Sequence, residues 1–450
     1  MKRAADAEKE LKKSHATRSK KGRVEAPPPL PLAPVLVFEE AAVPLEVLFV
    51  HVLPRCDIRT LHKAATMCKY VEREWPVAVV DIKKRMFVAD RLPPFIIRGI
   101  PRMRNVKSIM DYDRMTYFLQ NLPAAAPVAS IKTGGFTYFM DWPWPIAQRL
   151  PNLTRLDLWS NAPVERRPLE FFTGLTALRD LHIRQDRDSI DGDRLIMQLG
   201  GMPHLTKLVI DQHKRTTDVA LQYLTALRVL KIIYECAITD AGLVARAPTL
   251  TRLVLTGASP HACKITASGI GALTNLRSLK IDTYHGWRPA GLNNAIGQLT
   301  NLRTLVLDHA SCFLSTGMPY SFLSPLAANL ETLQLGYDFP ENAVTWVATL
   351  TRLVELRLVD YWYQDMGASR NKSKVLPINA LIKQAPPSVT SLFLAGAAAT
   401  LARKASILAL TQLRSLAFGR FQYAEKSFGT YKELVKELPR LTVYSTDLKY

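Results

Sequence analysis

Apolar residues recur along this chain at two nested periods. The short one appears in LPNLTRLDL from Leu150, LTALRDLHI from Leu175, LTNLRSLKI from Leu273, LTNLRTLVL from Leu299 and LTQLRSLAF from Leu410. Each phrase contains L-x-x-L-x-L, and its last two apolar positions alternate with polar ones, as in Leu156/Leu158, Leu279/Ile281 and Leu305/Leu307. That alternation predicts a short strand with one buried face. The long period is the spacing of the phrases. Their anchors are Leu153, Leu178, Leu205, Leu227, Leu250, Leu276, Leu302, Leu330, Leu353, Val389, Leu413 and Leu441, spaced by 25, 27, 22, 23, 26, 26, 28, 23, 36, 24 and 28 residues. Between phrases, stretches such as DAGLVARAP, ASGIGAL and GLNNAIGQL carry helical spacing. They are expected on the outer, convex side.

A phrase of this form with a period in the twenties is the signature of leucine-rich repeats. The expected fold is therefore α/β, a leucine-rich-repeat solenoid (horseshoe) over residues 150–450. Twelve strands about 4.8 Å apart would give an inner arc of roughly 60 Å. No unit can bury its own core, so the stack does it jointly. CAITDAGLVARAP from Cys236 and CKITASGIGAL from Cys263 resemble cysteine-containing leucine-rich repeats. The resemblance implies a small buried Cys in place of the asparagine that satisfies the turning backbone elsewhere. Asn161 keeps that asparagine, whereas Asp186 and Tyr284 stand in later units. Met103/Val106 and Val128/Ile131 fall at 25-residue steps before Leu153. Residues 91–149 are thus expected to be a linker with degenerate capping repeats, after a helix around Val80–Phe87.

Upstream the pattern changes. AAVPLEVLFVHVLPRCDIRTLHKAATMCKYVEREWP over residues 41–76 has apolar positions at helical spacing, broken at Pro54. A proline suits the first turn of a helix. VPLEVL at Val43–Leu48, HVL at His51–Leu53 and MCK at Met67–Lys69 resemble the F-box. In that motif Pro44 and Glu46 hold the proline and acidic positions, Val43 replaces a leucine, and Leu45 fills the variable site. The loop around Pro54–Ile58 is about one residue long relative to the motif, and Val71 stands where a tryptophan follows Cys-Lys, with Trp75 four residues on. The resemblance implies a small three-helix module at 39–90 that docks a Skp-type adaptor of a cullin–RING ubiquitin ligase. Val43, Pro44, Leu45, Glu46, Val47, Leu48, Leu53, Leu61 and Cys68 would form its adaptor-binding set. The alternative is that these helices only cover the exposed first core of the solenoid.

Charge and composition then bound the function. Residues 1–38 open with a basic, polar segment and continue into APPPLPLAP from Ala26. With few bulky apolar side chains, this tail is expected to be disordered. Lys20, Lys21 and Arg23 fit either a nuclear import signal or a solubilising tail. The chain has 59 basic and 39 acidic residues, a net charge of +20. The five cysteines are odd in number and form no C-x-x-C pair, which fits a reducing, cytoplasmic or nuclear compartment. No apolar run reaches membrane-spanning length, and the N-terminus lacks an apolar signal region.

No phosphate loop, nucleophile elbow or H-E-x-x-H occurs, so no enzyme, cofactor or metal is expected. His261 with Cys263 reads as a surface His beside a core thiol, and Asp191 and Asp193 read as turn residues. Binding is expected on the concave face. Its candidates are Trp159, His182, Arg184, Lys207, Lys231, Arg252, Lys280, Asp282, Glu355 and Arg357. Their mixed signs argue against a uniform phosphate track. Arg179, Arg228, Arg277, Arg303 and Arg414 follow the first leucine of their units and read as solvated residues at the strand start. No aromatic interleaving for base stacking accompanies them, so nucleic acid is not the expected partner. The 36-residue spacing after Leu353 holds a polar loop with Tyr361, Trp362 and Tyr363, expected to anchor a protein partner. The resemblance and the pattern together suggest a substrate-recognition subunit of a ubiquitin ligase. The alternative is a binding scaffold with no link to ubiquitin.

Overall fold

A computed structural model describes residues 79–83, 105–109, 128–132, 150–160, 174–185, 202–211, 216–234, 237–257, 263–282, 289–308, 320–336, 343–360, 377–419 and 434–446, with Asp193, Met197 and Trp287. The strands are β1 (Val79–Lys83), β2 (Asn105–Ile109), β3 (Ser130–Lys132), β4 (Arg155–Ser160), β5 (Asp180–Gln185), β6 (Lys207–Asp211), β7 (Val229–Ile233) and β8 (Arg252–Thr256). They continue as β9 (Ser278–Asp282), β10 (Thr304–Asp308), β11 (Thr332–Leu335), β12 (Glu355–Asp360), β13 (Ser391–Gly396), β14 (Ser415–Gly419) and β15 (Thr442–Thr446). Strands β3 to β15 form one 13-stranded sheet in strict chain order, and every ladder in it is parallel. This is the leucine-rich-repeat solenoid. Each strand from β4 to β14 begins two residues after its anchor leucine or valine, and β15 begins one residue after Leu441.

Register follows from the leucines. Leu156, Leu181, Leu208, Leu230, Leu253 and Leu279 stand side by side across β4 to β9 and are fully buried. Two residues further along each strand, Ile183, Ile210, Ile232, Leu255 and Ile281 form a second buried row. A slip of one residue would turn both rows to the opposite face, so the hydrophobic pattern sets the register strongly. Short helices close the other side of the core. Asp240–Arg246, Ala267–Gly271 and Leu292–Gly297 lie in the stretches expected to be helical and bury Leu243, Ile270 and Ile296.

The sheet begins at Ser130, with Val128 and Ile131 buried in the common core, where a degenerate repeat was expected. One feature differs from the sequence reading. The expected helix near Val80–Phe87 is instead strand from Val79 to Lys83, paired in parallel with Asn105–Ile109. The segment VAVVDI is rich in β-branched residues, which favour extended backbone when a neighbouring strand is present. Val79, Asn105, Ser130 and Arg155 keep the repeat's spacing, and β2 packs beside β3. The F-box-like segment and the basic tail lie outside the described residues.

Adjacent repeats are also joined by polar ladders. Thr217, Thr239 and Thr266 each cap a short helix, accepting a hydrogen bond from the backbone N–H two residues on. Each threonine in turn donates to an aspartate of the preceding repeat. The Thr239 N–H donates to Asp218 Oδ1 at 2.7 Å, and the Thr266 N–H donates to Asp240 Oδ1 at 2.7 Å. Both hydroxyls donate to the second carboxylate oxygen. Asp193, expected in a turn, has helical backbone and binds Thr217 in the same way. Gly242 and Gly269 leave room for this. A Cβ on either would lie 2.3 Å from the Oδ1 of Asp218 or Asp240. The ladder stops where Ala267 replaces the aspartate.

A second ladder comes from the asparagine of the L-T-N-L phrase and its counterpart in the next repeat. Asn275, Asn301 and Asn329 donate through Nδ2 to the carbonyls of Pro248, Thr274 and Thr300 at 3.2, 3.0 and 2.9 Å. Cys263 is a buried free thiol whose pKa is pushed up to about 11, chiefly by burial. That matches the expected core thiol.

Candidate functional site

Residues between the core leucines of each strand face away from the core and form rows across the sheet. At the N-terminal end these rows are cross-linked by charge. Asp180 accepts from Arg155 Nε at 3.0 Å and from Lys207 Nζ at 2.8 Å. His182 Nδ1 stands 3.1 Å from Asp157 Oδ1, and Arg184 Nε is 3.5 Å from Asp211 Oδ2. The backbone of Trp159 is in register with Arg184, while its side chain lies outside the described residues. Further along, Lys280 Nζ lies 2.7 Å from Asp308 Oδ2, and Gln334 donates to the other oxygen of Asp308.

These bridges are unequal partners. Asp211 and Asp308 are 8% and 7% exposed, whereas Arg184 and Lys280 are 37% and 36% exposed. An exposed pair alone contributes about 0–1 kcal/mol. Removing the cation here leaves a carboxylate inside a wall of side chains, which costs more. His182, Arg184, Lys207 and Lys280 are thus tied to neighbouring strands. Asp282 also has an interaction of its own.

The centre of the face is different. Lys231 and Arg252 make no ion pair among the described residues. Lys231 stands in register between Val209 and Val254, each 5% exposed. Its pKa is lowered, first by this burial and then by the charge of Lys280. A partner's carboxylate would favour the charged form and so offset both causes.

The C-terminal end is apolar. Arg357 lies 3.7 Å from Glu355 Oε1 and sits over the Phe393 ring, 4.5 Å from its centroid. Val359, Phe393, Ala395 and Ala417 form a buried cluster separate from the solenoid core. The sequence reading missed this cluster. Its signal is the run LFLAG at Leu392–Gly396, where the positions between core leucines are themselves apolar. Tyr361, Trp362 and Tyr363 lie outside the described residues, as do Val43, Pro44, Leu45, Glu46, Val47, Leu48, Leu53, Leu61 and Cys68.

Among the described residues, no three His, Cys, Asp or Glu side chains are grouped to hold a metal ion. Among the same residues, no helix is long and apolar enough to cross a membrane.

No protein-family model matches this sequence, and no curated protein matches it. Among solved structures the chain is similar to an internalin from Listeria monocytogenes, at 15% identity and a TM-score of 0.40. The match covers 83% of this chain and 96% of that one. The fold stands on the repeat phrase and the thirteen ordered strands, independently of that likeness.

Proposed function

We propose that this chain is a non-catalytic binding subunit that holds a protein on the open face of its repeat sheet. The observation that supports this most is the cationic centre, Lys231 and Arg252, which makes no ion pair among the described residues. A folded protein surface offers acidic groups to such a centre, and the locked ladder keeps the face in shape before binding. Pre-organisation of this kind lowers the cost of association.

We further propose that residues 39–90 dock a Skp-type adaptor and so bring the bound protein to a cullin–RING ubiquitin ligase. The F-box resemblance of VPLEVL and its position before the repeats support this reading. Pro44, Leu48 and Leu53 would lie on the adaptor side of an interface of order 1,600 Å². The test is binding of purified adaptor to the intact chain and to Pro44→Ala/Leu48→Ala. A loss of about 2–4 kcal/mol with unchanged solenoid melting is expected. Unchanged adaptor affinity would leave a binding scaffold with no link to ubiquitin.

A further inference from the structure

The strand-start edge of the sheet carries a groove of about 720 Å³ across the repeats of β5 to β8. Arg179, His204 and Arg228 line it, and none of its lining residues is acidic. Neither guanidinium has an ion-pair partner among the described residues. That contrasts with Arg303, five repeats on from Arg179, which lies 3.1 Å from Glu331. The remaining walls are proline, alanine and threonine. Thr206 and Thr251 spend their hydroxyl protons on the carbonyls of Arg179 and Arg228. The charged donors facing the groove are therefore the two arginines, with His204 beside them.

We propose that this groove binds an acidic segment of a protein partner through its carboxylates. Arg179 and Arg228 stand at the starts of strands two apart in the sheet, roughly 9.6 Å at the usual inter-strand spacing. About three residues of extended chain span that distance. Each guanidinium can take one carboxylate in a two-pronged contact. Pro203 and Pro248 present flat apolar surface without an N–H to satisfy, which suits peptide backbone. No Phe, Tyr or Trp lines the groove, so bases lack the large stacking platforms that single-strand binders use. The inference is independent of adaptor docking and of the open face, since none of its residues belongs to either.

The experiment is fluorescence anisotropy on the full chain at 150 mM salt. The probes are labelled (Glu-Gly-Ser)4, its neutral counterpart (Gln-Gly-Ser)4, and a twelve-residue oligothymidylate. The variants are Arg179→Ala/Arg228→Ala, Arg179→Lys/Arg228→Lys, and Arg403→Ala/Arg414→Ala, which removes the same charge from exposed sites elsewhere. The acidic peptide is expected to bind, to weaken at least tenfold in the Arg179/Arg228 alanine variant, and to change less than twofold in the Arg403/Arg414 variant. The lysine variant should retain part of the affinity. Equal loss in both alanine variants would reduce the effect to net charge and overturn the proposal. So would absence of acidic-peptide binding, or tighter, Arg179/Arg228-dependent binding of the oligothymidylate.

Discussion

At the scale of single residues, glycine, aspartate and threonine do as much as leucine to hold repeats together. The T-D-x-G phrase places a cap, a cross-repeat acceptor and a gap in one turn. Asp218→Ala leaves the Thr239 N–H and hydroxyl without their partner, and hydrogen bonds to a charged group contribute about 1.5–3 kcal/mol. Gly242→Ala drives a methyl group into the same carboxylate and should cost a similar amount. Urea denaturation checks both, and the double variant should cost less than the sum, because one contact is lost twice. Cys263 supplies a pH-dependent case. Its thiol titrates near 9.0 in the unfolded chain and at about 11 when buried, so folding favours the protonated form. Its contribution is whole below pH 9 and is lost as pH rises towards 11. Native Cys263 should therefore resist iodoacetamide at pH 8.5 and react on unfolding, as mass spectrometry of the labelled peptide would show. None of this pairing was visible in the sequence beyond the motif, because each partner lies one full repeat away.

At the scale of elements, the leucine phrase located the strands from β4 onward, and alternation gave the face each side chain takes. What alternation could not give is which outward charges meet. That depends on register between strands some 22 to 28 residues apart, so His182, Arg184, Lys207 and Lys280 read as free although neighbours hold them. Val79–Lys83 was misread because VAVVDI lacks the leucine phrase, and only the neighbouring strand decides between helix and strand. Lys231 tests the reading of the rows. Burial between Val209 and Val254 disfavours its charge, so the unfolded chain holds the proton more tightly. Stability from this group rises with pH towards 10.5. Lys231→Met should raise the melting temperature at pH 7, with a gain that shrinks as pH approaches 10.5. A lower melting temperature at pH 7 would mean that the ammonium has a partner in the native state.

At the scale of the whole molecule, the chain combines a legible architecture with a function carried by a few positions. The sequence phrase was sufficient for the solenoid, since only stacking can bury one leucine row per unit. It was not sufficient for the proposed binding surface, because Lys231 and Arg252 look like any other charged residues until their neighbours are seen to be paired. The groove at Arg179 and Arg228 was likewise read as a solvated edge; its distinction is that none of the residues lining it is acidic. The central claim is that the open sheet face holds a protein while residues 39–90 engage an adaptor. Quantitative mass spectrometry of proteins co-purifying with three forms of the full chain tests it most directly: intact, Lys231→Ala/Arg252→Ala and Pro44→Ala/Leu48→Ala. The account predicts a double separation, in which the open-face variant loses a specific partner but keeps adaptor and cullin, and the Pro44/Leu48 variant does the reverse. An identical set of co-purifying proteins from all three forms would contradict it.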